Sequence, residues 1–338
     1  MEWNYLGNEL VVHMLQQHIT RQETRQAYLF TGVPGVGRRT LALRFAQALN
    51  CTGTQIPGQA CGKCKTCQRI GRMQYPDLSV VEAEVEGGTL KVEQIRQLQH
   101  TLSLTPYEAR WRVALLLRFE EANANSQNAL LKTLEEAPPS VILILVATYA
   151  ENLLPTIVSR CEQMRLHPMP VDELARALEN QLGWQPQEAR SIAHLSQGRV
   201  GTAMLFKDSP ESLQQYNRDV ETLIQMLAEP QRIRFAYMTD LVKTMRADDD
   251  HDRRPIRNML QAGLSLWRDV FIEASAAKIP IVNLDFQNDI ARLALKVSPG
   301  TAREQITNAE RVLTLFDSTN TNPQMLLDSW MLGYPRVN

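Results

Sequence analysis

Two runs, Val113-Ala-Leu-Leu-Leu117 and Val141-Ile-Leu-Ile-Leu-Val-Ala147, are apolar at consecutive rather than alternate positions. A strand with one face in water alternates, whereas a strand covered on both faces does not, and sheets covered on both faces are usually parallel. Parallel neighbours cannot be joined by a hairpin and need a crossover. The chain supplies one between these runs. Residues 126–136 carry Ala129, Leu130 and Leu134 at helical spacing and close at Pro138-Pro139. A third apolar run, Gln26-Ala-Tyr-Leu-Phe-Thr31, leads into Gly32-Val-Pro-Gly-Val-Gly37, after which Leu41, Phe45, Ala48 and Leu49 recur at a helical period. Strand, glycine turn and helix, followed by strand, helix and strand, predict an α/β domain built on a parallel sheet.

From about Pro168 onward the strand signals fade. Val171–Leu182 and Pro186–Leu195 predict two short helices, Gly198 and Gly201 interrupt the pattern, and beyond Ser209-Pro210 the chain is helical almost to its end. Breaks are expected at 248–255, 278–280 and 320–323, and the mixed charge run at 248–254 predicts a solvated loop. Three domains follow as an expectation: an α/β domain over 1–168, a small helical domain over 169–210 and a larger helical domain over 211–338. A chain of 338 residues is long enough for two or three domains and needs no disulfide to fold. With 36 Lys+Arg against 37 Asp+Glu, the net charge of −1 argues against a protein that holds nucleic acid alone through a broad basic face. No apolar run of 18 residues is present, so no membrane-spanning helix is expected. Met1 to Tyr5 lack a basic region followed by an apolar one, and a cytoplasmic protein is expected.

The glycine turn has the skeleton of a phosphate-binding loop. Such a loop reads G-x-x-x-x-G-K-[ST]: glycines let backbone N–H groups converge on phosphates, the Lys reaches the outer phosphates and the hydroxyl holds Mg²⁺. Here Gly32, Gly35 and Gly37 are present, but Arg38 stands at the Lys position, Arg39 at the hydroxyl position, and Thr40 one place late. One place is about 100° around a helix, which turns the Thr40 hydroxyl away. The planar Arg fork is no silent replacement for Lys. A second defect agrees. The strand that should end in metal-holding acids ends Leu117-Arg118-Phe119, with Glu120 and Glu121 only afterwards. Anion binding at this helix start is compatible with the residues. Hydrolysis of ATP is not expected, and idle ATP or ADP is left open.

Of the five cysteines, four are crowded: Cys51, Cys61, Cys64 and Cys67. The two C-x₂-C turns offer four soft ligands of the kind a structural Zn²⁺ takes tetrahedrally. Gly58 and Gly62 free the backbone around the turns, and Lys63, Lys65 and Arg69 would offset the −2 charge of a Zn–Cys₄ centre. Four ligands leave no open position, so such a zinc organises a loop and performs no chemistry. Cys161 stands apart and has no neighbouring base to make it a nucleophile.

Three stretches together resemble the subunits of bacterial sliding-clamp loaders, members of the AAA+ family. They are Ala27 to Ala42 around the glycine turn, Asn128-Ala-Leu-Leu-Lys-Thr-Leu-Glu-Glu-Ala-Pro-Pro139, and Ser159-Arg160-Cys161. Read alone, Arg160 is an ion-paired or surface residue. The resemblance implies instead an arginine finger, a guanidinium that projects into the ATP site of the adjacent subunit. It further implies an AAA+ module with a helical lid and collar, a four-Cys zinc module, and a hetero-pentamer with gamma/tau-type motors and a delta subunit. That assembly opens a sliding clamp on primer-template DNA within the cytoplasmic replisome. A decayed phosphate loop beside an intact Ser-Arg-Cys implies a stator that is a component of DNA polymerase III without activity of its own; the alternative is an active gamma/tau-like ATPase. Thr148 matches a position that senses nucleotide in active relatives. Gly201 replaces a second sensing Arg, and that role does not pass to Arg199.

Overall fold

The structure, a computed structural model, describes all residues except 1, 86, 248–252, 319–320 and 338. Most of the mixed charge run at 248–254 therefore lies outside the described residues. Two compact units form, one from Met1–Leu182 with Gly198–Thr202, the other from Gly183–Gln197 with Ala203–Asn338.

The first unit runs α1 (Glu9–Thr20), β1 (Ala27–Thr31), α2 (Arg38–Asn50), α3 (Lys65–Gly71), β2 (Leu78–Val81), α4 (Val92–Ser103), β3 (Arg112–Leu116), α5 (Ala124–Glu136), β4 (Val141–Ala147), α6 (Pro155–Val158), β5 (Glu162–Arg165) and α7 (Val171–Leu182). The strands make one sheet in the order β2-β3-β4-β1-β5, with every pair parallel. The consecutive apolar runs have the predicted cause. Tyr28, Phe30, Val113, Leu115, Ile142 and Ile144 face one core with Leu15, Leu41 and Phe45, whereas Leu29, Ala114, Leu116, Leu143 and Leu145 face the other with Ile95, Leu98, Leu130 and Leu134. Phe45 is fully buried with its ring centroid 4.8 Å from that of Tyr28. Truncating such a side chain typically costs about 3–5 kcal/mol. Because β1 lies between β4 and β5, with β3 beyond β4, the segments leaving the C-terminal ends of β1, β3 and β4 come together at one edge of the sheet, where open α/β sheets place their ligands.

The second unit holds α8 (Pro186–Leu195), most of α9 (Val200–Asp208), α10 (Pro210–Met226), α11 (Gln231–Ala247), α12 (Arg254–Ala274), α13 (Gln287–Lys296), α14 (Pro299–Ser318) and α15 (Pro323–Leu332). Its core is made by Leu223, Leu260, Leu266, Trp267, Phe316, Leu327 and Trp330. Buried Arg234 donates to the carbonyls of Leu227, Glu229, Tyr334 and Pro335, so a cation with no carboxylate partner in these bonds ties the chain end to α11. Among the described residues no helix is long and apolar enough to cross a membrane.

Candidate functional site

The turn after β1 folds as a phosphate loop would. Gly35 and Gly37 sit at φ 81° and 102°, where an L side chain is strained, and Gly37 opens α2 without a side-chain cap. The first amides of α2 are thus oriented as an anion site requires. The loop is engaged by its own chain, however. The Gly35 carbonyl accepts from the amides of Gly201 (2.7 Å) and Thr202 (3.3 Å), and the Tyr5 hydroxyl donates to the Val36 carbonyl at 3.3 Å. A Cβ on Gly35 would fall 2.0 Å from the Thr202 hydroxyl oxygen.

Arg38, at the position of the phosphate-binding Lys, turns inward. Its Nη1 donates to the Thr148 hydroxyl (3.1 Å), and that hydroxyl donates in turn to Glu120 Oε1 (2.6 Å), which also accepts the Thr148 amide (3.0 Å). Burial pulls the Arg38 guanidinium below its usual range, and the Glu120 carboxylate opposes that pull. Glu120 Oε2 is buried with no hydrogen-bond partner. Arg39 projects outward to Met73 Sδ at 3.2 Å, and Thr40 is exposed.

The acids after β3 are also committed. Arg118 adopts the left-handed conformation (φ 46°) and pairs with Glu82 (2.9 Å) and Glu121 (3.0 Å). Burial raises Glu121, partly countered by the Gly87 amide and Arg118. Sequence counting left Glu120 too far along to matter. The left-handed Arg118 and the short turn Phe119–Glu121 swing it back beside Thr148, and two consecutive Glu after a buried strand were the available signal. Gly201 is likewise brought onto the loop, a contact that no local pattern announces.

The four clustered cysteines converge as their spacing predicted, with all Sγ atoms within 4.8 Å of one another. Tetrahedral Zn–S bonds of about 2.3 Å suit a cluster of this size. Backbone amides of Cys61, Cys64 and Cys67 donate to the sulfurs of Cys51, Cys61 and Cys64 at 3.4, 3.3 and 3.4 Å, bonds that favour thiolates. The Cys64 and Lys63 amides lower the Cys61 thiol. At Cys64 burial opposes ionisation, but the amide of Cys67 and the Thr52 groups prevail and hold it at about 6. Burial pushes Cys67 up, and a bound cation is what deprotonates such a thiol. A Cβ on Gly53 would fall 2.7 Å from Cys61 Sγ, so the loop closes on the cluster only with glycine there. The donor set fits Zn²⁺. The cavity of about 440 Å³ lined by Asn50, Cys51, Ile56, Pro57, Tyr75 and Glu108 adjoins this module and not the phosphate loop.

Arg160 follows α6 and is partly exposed, its side chain 37% accessible. Its Nε donates to Glu135 Oε1 on α5 (2.8 Å) and its Nη1 to the Thr156 carbonyl (3.0 Å). Burial raises the neighbouring Cys161 thiol to about 12, which makes it an inert packing residue.

A family model described as "DNA polymerase III, delta subunit" matches residues 7–170. The chain is 26% identical to DNA polymerase III subunit delta' of Bacillus subtilis (strain 168) over 336 residues, 96% of each chain. It is 38% identical to subunit delta' of Pseudomonas aeruginosa over 189 residues, 54% of this chain and 56% of that one. It is 32% identical to subunit tau of Escherichia coli (strain K12) over 208 residues, 60% of this chain and 32% of that one. The chain thus spans about a third of the tau relative's length and about half of the Pseudomonas relative's.

Proposed function

We infer that the chain is a clamp-loader subunit of the AAA+ family, of the delta-prime stator type, a reading these matches support. It takes part in ATP-dependent loading of the sliding clamp onto primer-template DNA in the cytoplasmic replisome, without hydrolysing ATP itself. Three domains serve this role: an AAA+ α/β domain (1–168) stiffened by a structural zinc at Cys51, Cys61, Cys64 and Cys67, a lid (169–210), and a helical collar (211–338). Through the collar the chain joins gamma/tau-type motors and a delta subunit in a hetero-pentamer.

Its contribution to catalysis is Arg160. Charge develops on the γ-phosphate as it leaves, and a guanidinium brought in from a neighbour stabilises that charge, by about 10³–10⁵ in rate where such fingers have been dissected. The observation that carries the reading is the disposition of two cations: Arg38 is spent on Thr148 inside its own unit, while Arg160 stands at the surface, held by one exposed ion pair and the Thr156 carbonyl. The test is Arg160→Ala in the assembled loader. DNA-stimulated ATPase activity should collapse with assembly intact, and undiminished turnover refutes the finger. One observation favours an active gamma/tau-like ATPase: the unpartnered Glu120 Oε2 at the strand end could serve a metal, and the tau match is compatible with that. Arg38 at the Lys position and Arg118 beyond the strand weigh against it.

A further inference from the structure

A net charge of −1 conceals a strong segregation. Residues 24–76 contain no Asp or Glu and eight basic residues: Arg25, Arg38, Arg39, Arg44, Lys63, Lys65, Arg69 and Arg72. Arg25 pairs with Glu162 and Arg38 is turned inward, but the remainder gather on α2, the cysteine module and α3. These pieces are joined into one surface. Gln47 on α2 donates to the Cys67 carbonyl at 2.6 Å, Arg44 donates to Gln47 Oε1 at 3.0 Å, and Arg39 reaches Met73, just past α3, at 3.2 Å. Arg39, Lys63, Lys65, Arg69 and Arg72 are exposed. Arg69 alone of the five has a carboxylate partner among the described residues, Glu108 at 2.8 Å, and it also lies 5.5 Å over the Tyr75 ring, which fixes its direction. The −2 of a Zn–Cys₄ centre would offset only part of these five positive charges, and Arg39 and Arg72 have no carboxylate partner among the described residues.

We propose that this face, formed by α2, the cysteine module and α3, binds the phosphate backbone of duplex DNA. The choice of ligand follows from what the face lacks. A protein partner ordinarily needs an apolar centre to its interface. Across residues 38–74 Ile56 is the one large apolar side chain that is exposed among the described residues, and a single side chain makes no apolar centre. A phosphate backbone asks only for cations that displace its counterions, and it is read without base contacts. No aromatic ring is exposed on these segments for unpaired bases to stack on, which favours duplex over single strand. The metal-held turns and the stacked Arg69 preset the cations and so lessen the ordering needed on contact. The proposal rests on the clamp-loader reading only for the polymer's identity, and it predicts binding by this chain without its partners.

The test is fluorescence anisotropy of a labelled 20-base-pair duplex with the full-length protein between 50 and 300 mM NaCl. The wild type should show a log–log salt slope of about −4. K65A/R69A/R72A should lose at least about tenfold in affinity at 50 mM and flatten the slope by about 3. A charge-matched control on the second unit, R190A/R232A/K278A, should bind as wild type. Zinc content of the triple variant reports its integrity, and R39E/R72E, which leaves the cysteine turns untouched, should give the same loss. No measurable binding, an unchanged slope in both variants, or an equal loss in the control overturns the proposal. Displacement of DNA by polyglutamate at equal charge concentration also overturns it, in favour of an acidic protein partner. None of these outcomes alters what Arg160→Ala does to loader ATPase, so the two readings fail separately.

Discussion

Arg38 and Arg160 carry the same group into opposite circumstances. Arg38 sits in a loop shaped for phosphates, yet its half-buried guanidinium is bonded to the Thr148 hydroxyl that Glu120 holds, and the loop's Gly35 carbonyl is occupied by the segment Gly198–Thr202. Arg160 lies at the surface, and its one ion pair, to Glu135, is 48% exposed on the carboxylate side. Exposed pairs contribute only about 0–1 kcal/mol, so this pair and the bond to the Thr156 carbonyl hold the Arg160 guanidinium weakly. Arg38 is different: to meet a ligand it must give up the Thr148 hydroxyl, which is itself held by Glu120. One cation is engaged inside its own unit, and on the proposed reading the other serves a site outside the chain.

This contrast is open to a clean dissociation. The largest effect is expected for Arg160→Ala, with loader ATPase lower by about 10³ or more and the melting curve of the isolated chain almost unchanged. Stripping zinc with a chelator should lower unfolding stability by about 4 kcal/mol where free zinc had stood about a thousandfold above its Kd, as read by denaturant titration. A preparation equally stable with and without chelator would mean that the four thiols hold nothing. Arg38→Ala should behave as the mirror image of Arg160→Ala. It costs about 1 kcal/mol of stability through the lost bond to the Thr148 hydroxyl, while loader ATPase stays within twofold. A large fall in ATPase would instead make Arg38 a phosphate ligand. A similar contrast separates Asp77, held low despite burial by amides of Glu108, Tyr107 and Ala109 and by Arg112, from Asp219, which burial raises to about 6 with Gln215 as its main donor. A raised carboxyl stabilises the fold fully below about pH 4, and that contribution is lost as pH rises to about 6. Asp219→Asn should therefore be more stable than wild type at pH 7, by about 1–2 kcal/mol, and should flatten the decline between pH 4 and 6. Smallest of all, Glu135→Gln should change loader ATPase less than threefold; a loss as large as that of Arg160→Ala would show that Arg160 works through Glu135.

The parts of this arrangement that were legible in the sequence are those whose signal is local. The strands β1, β3 and β4 announce themselves because both faces are covered, and the cysteine spacing alone gathers four sulfurs. The edge strands β2 and β5 gave no comparable pattern, since Leu78 and Met164 are the only buried side chains of their strands. The link from Arg38 through Thr148 to Glu120 depends on a left-handed Arg118 and a single short turn, which periodicity does not register. The Gly201 and Thr202 amides on the Gly35 carbonyl join segments far apart in the chain. Overall charge balance carries no information on distribution: residues 24–76 hold no acid, and only the fold shows that Arg39, Lys63, Lys65, Arg69 and Arg72 are exposed.

The most direct measurement is single-turnover and steady-state hydrolysis of γ-labelled ATP by the purified chain alone, with Mg²⁺ and with primer-template DNA present. Phosphate release at the level of the no-protein blank, with or without DNA, is the predicted result. Multiple turnovers that vanish in Arg38→Ala would contradict it, because they would require the loop to serve its own ATP.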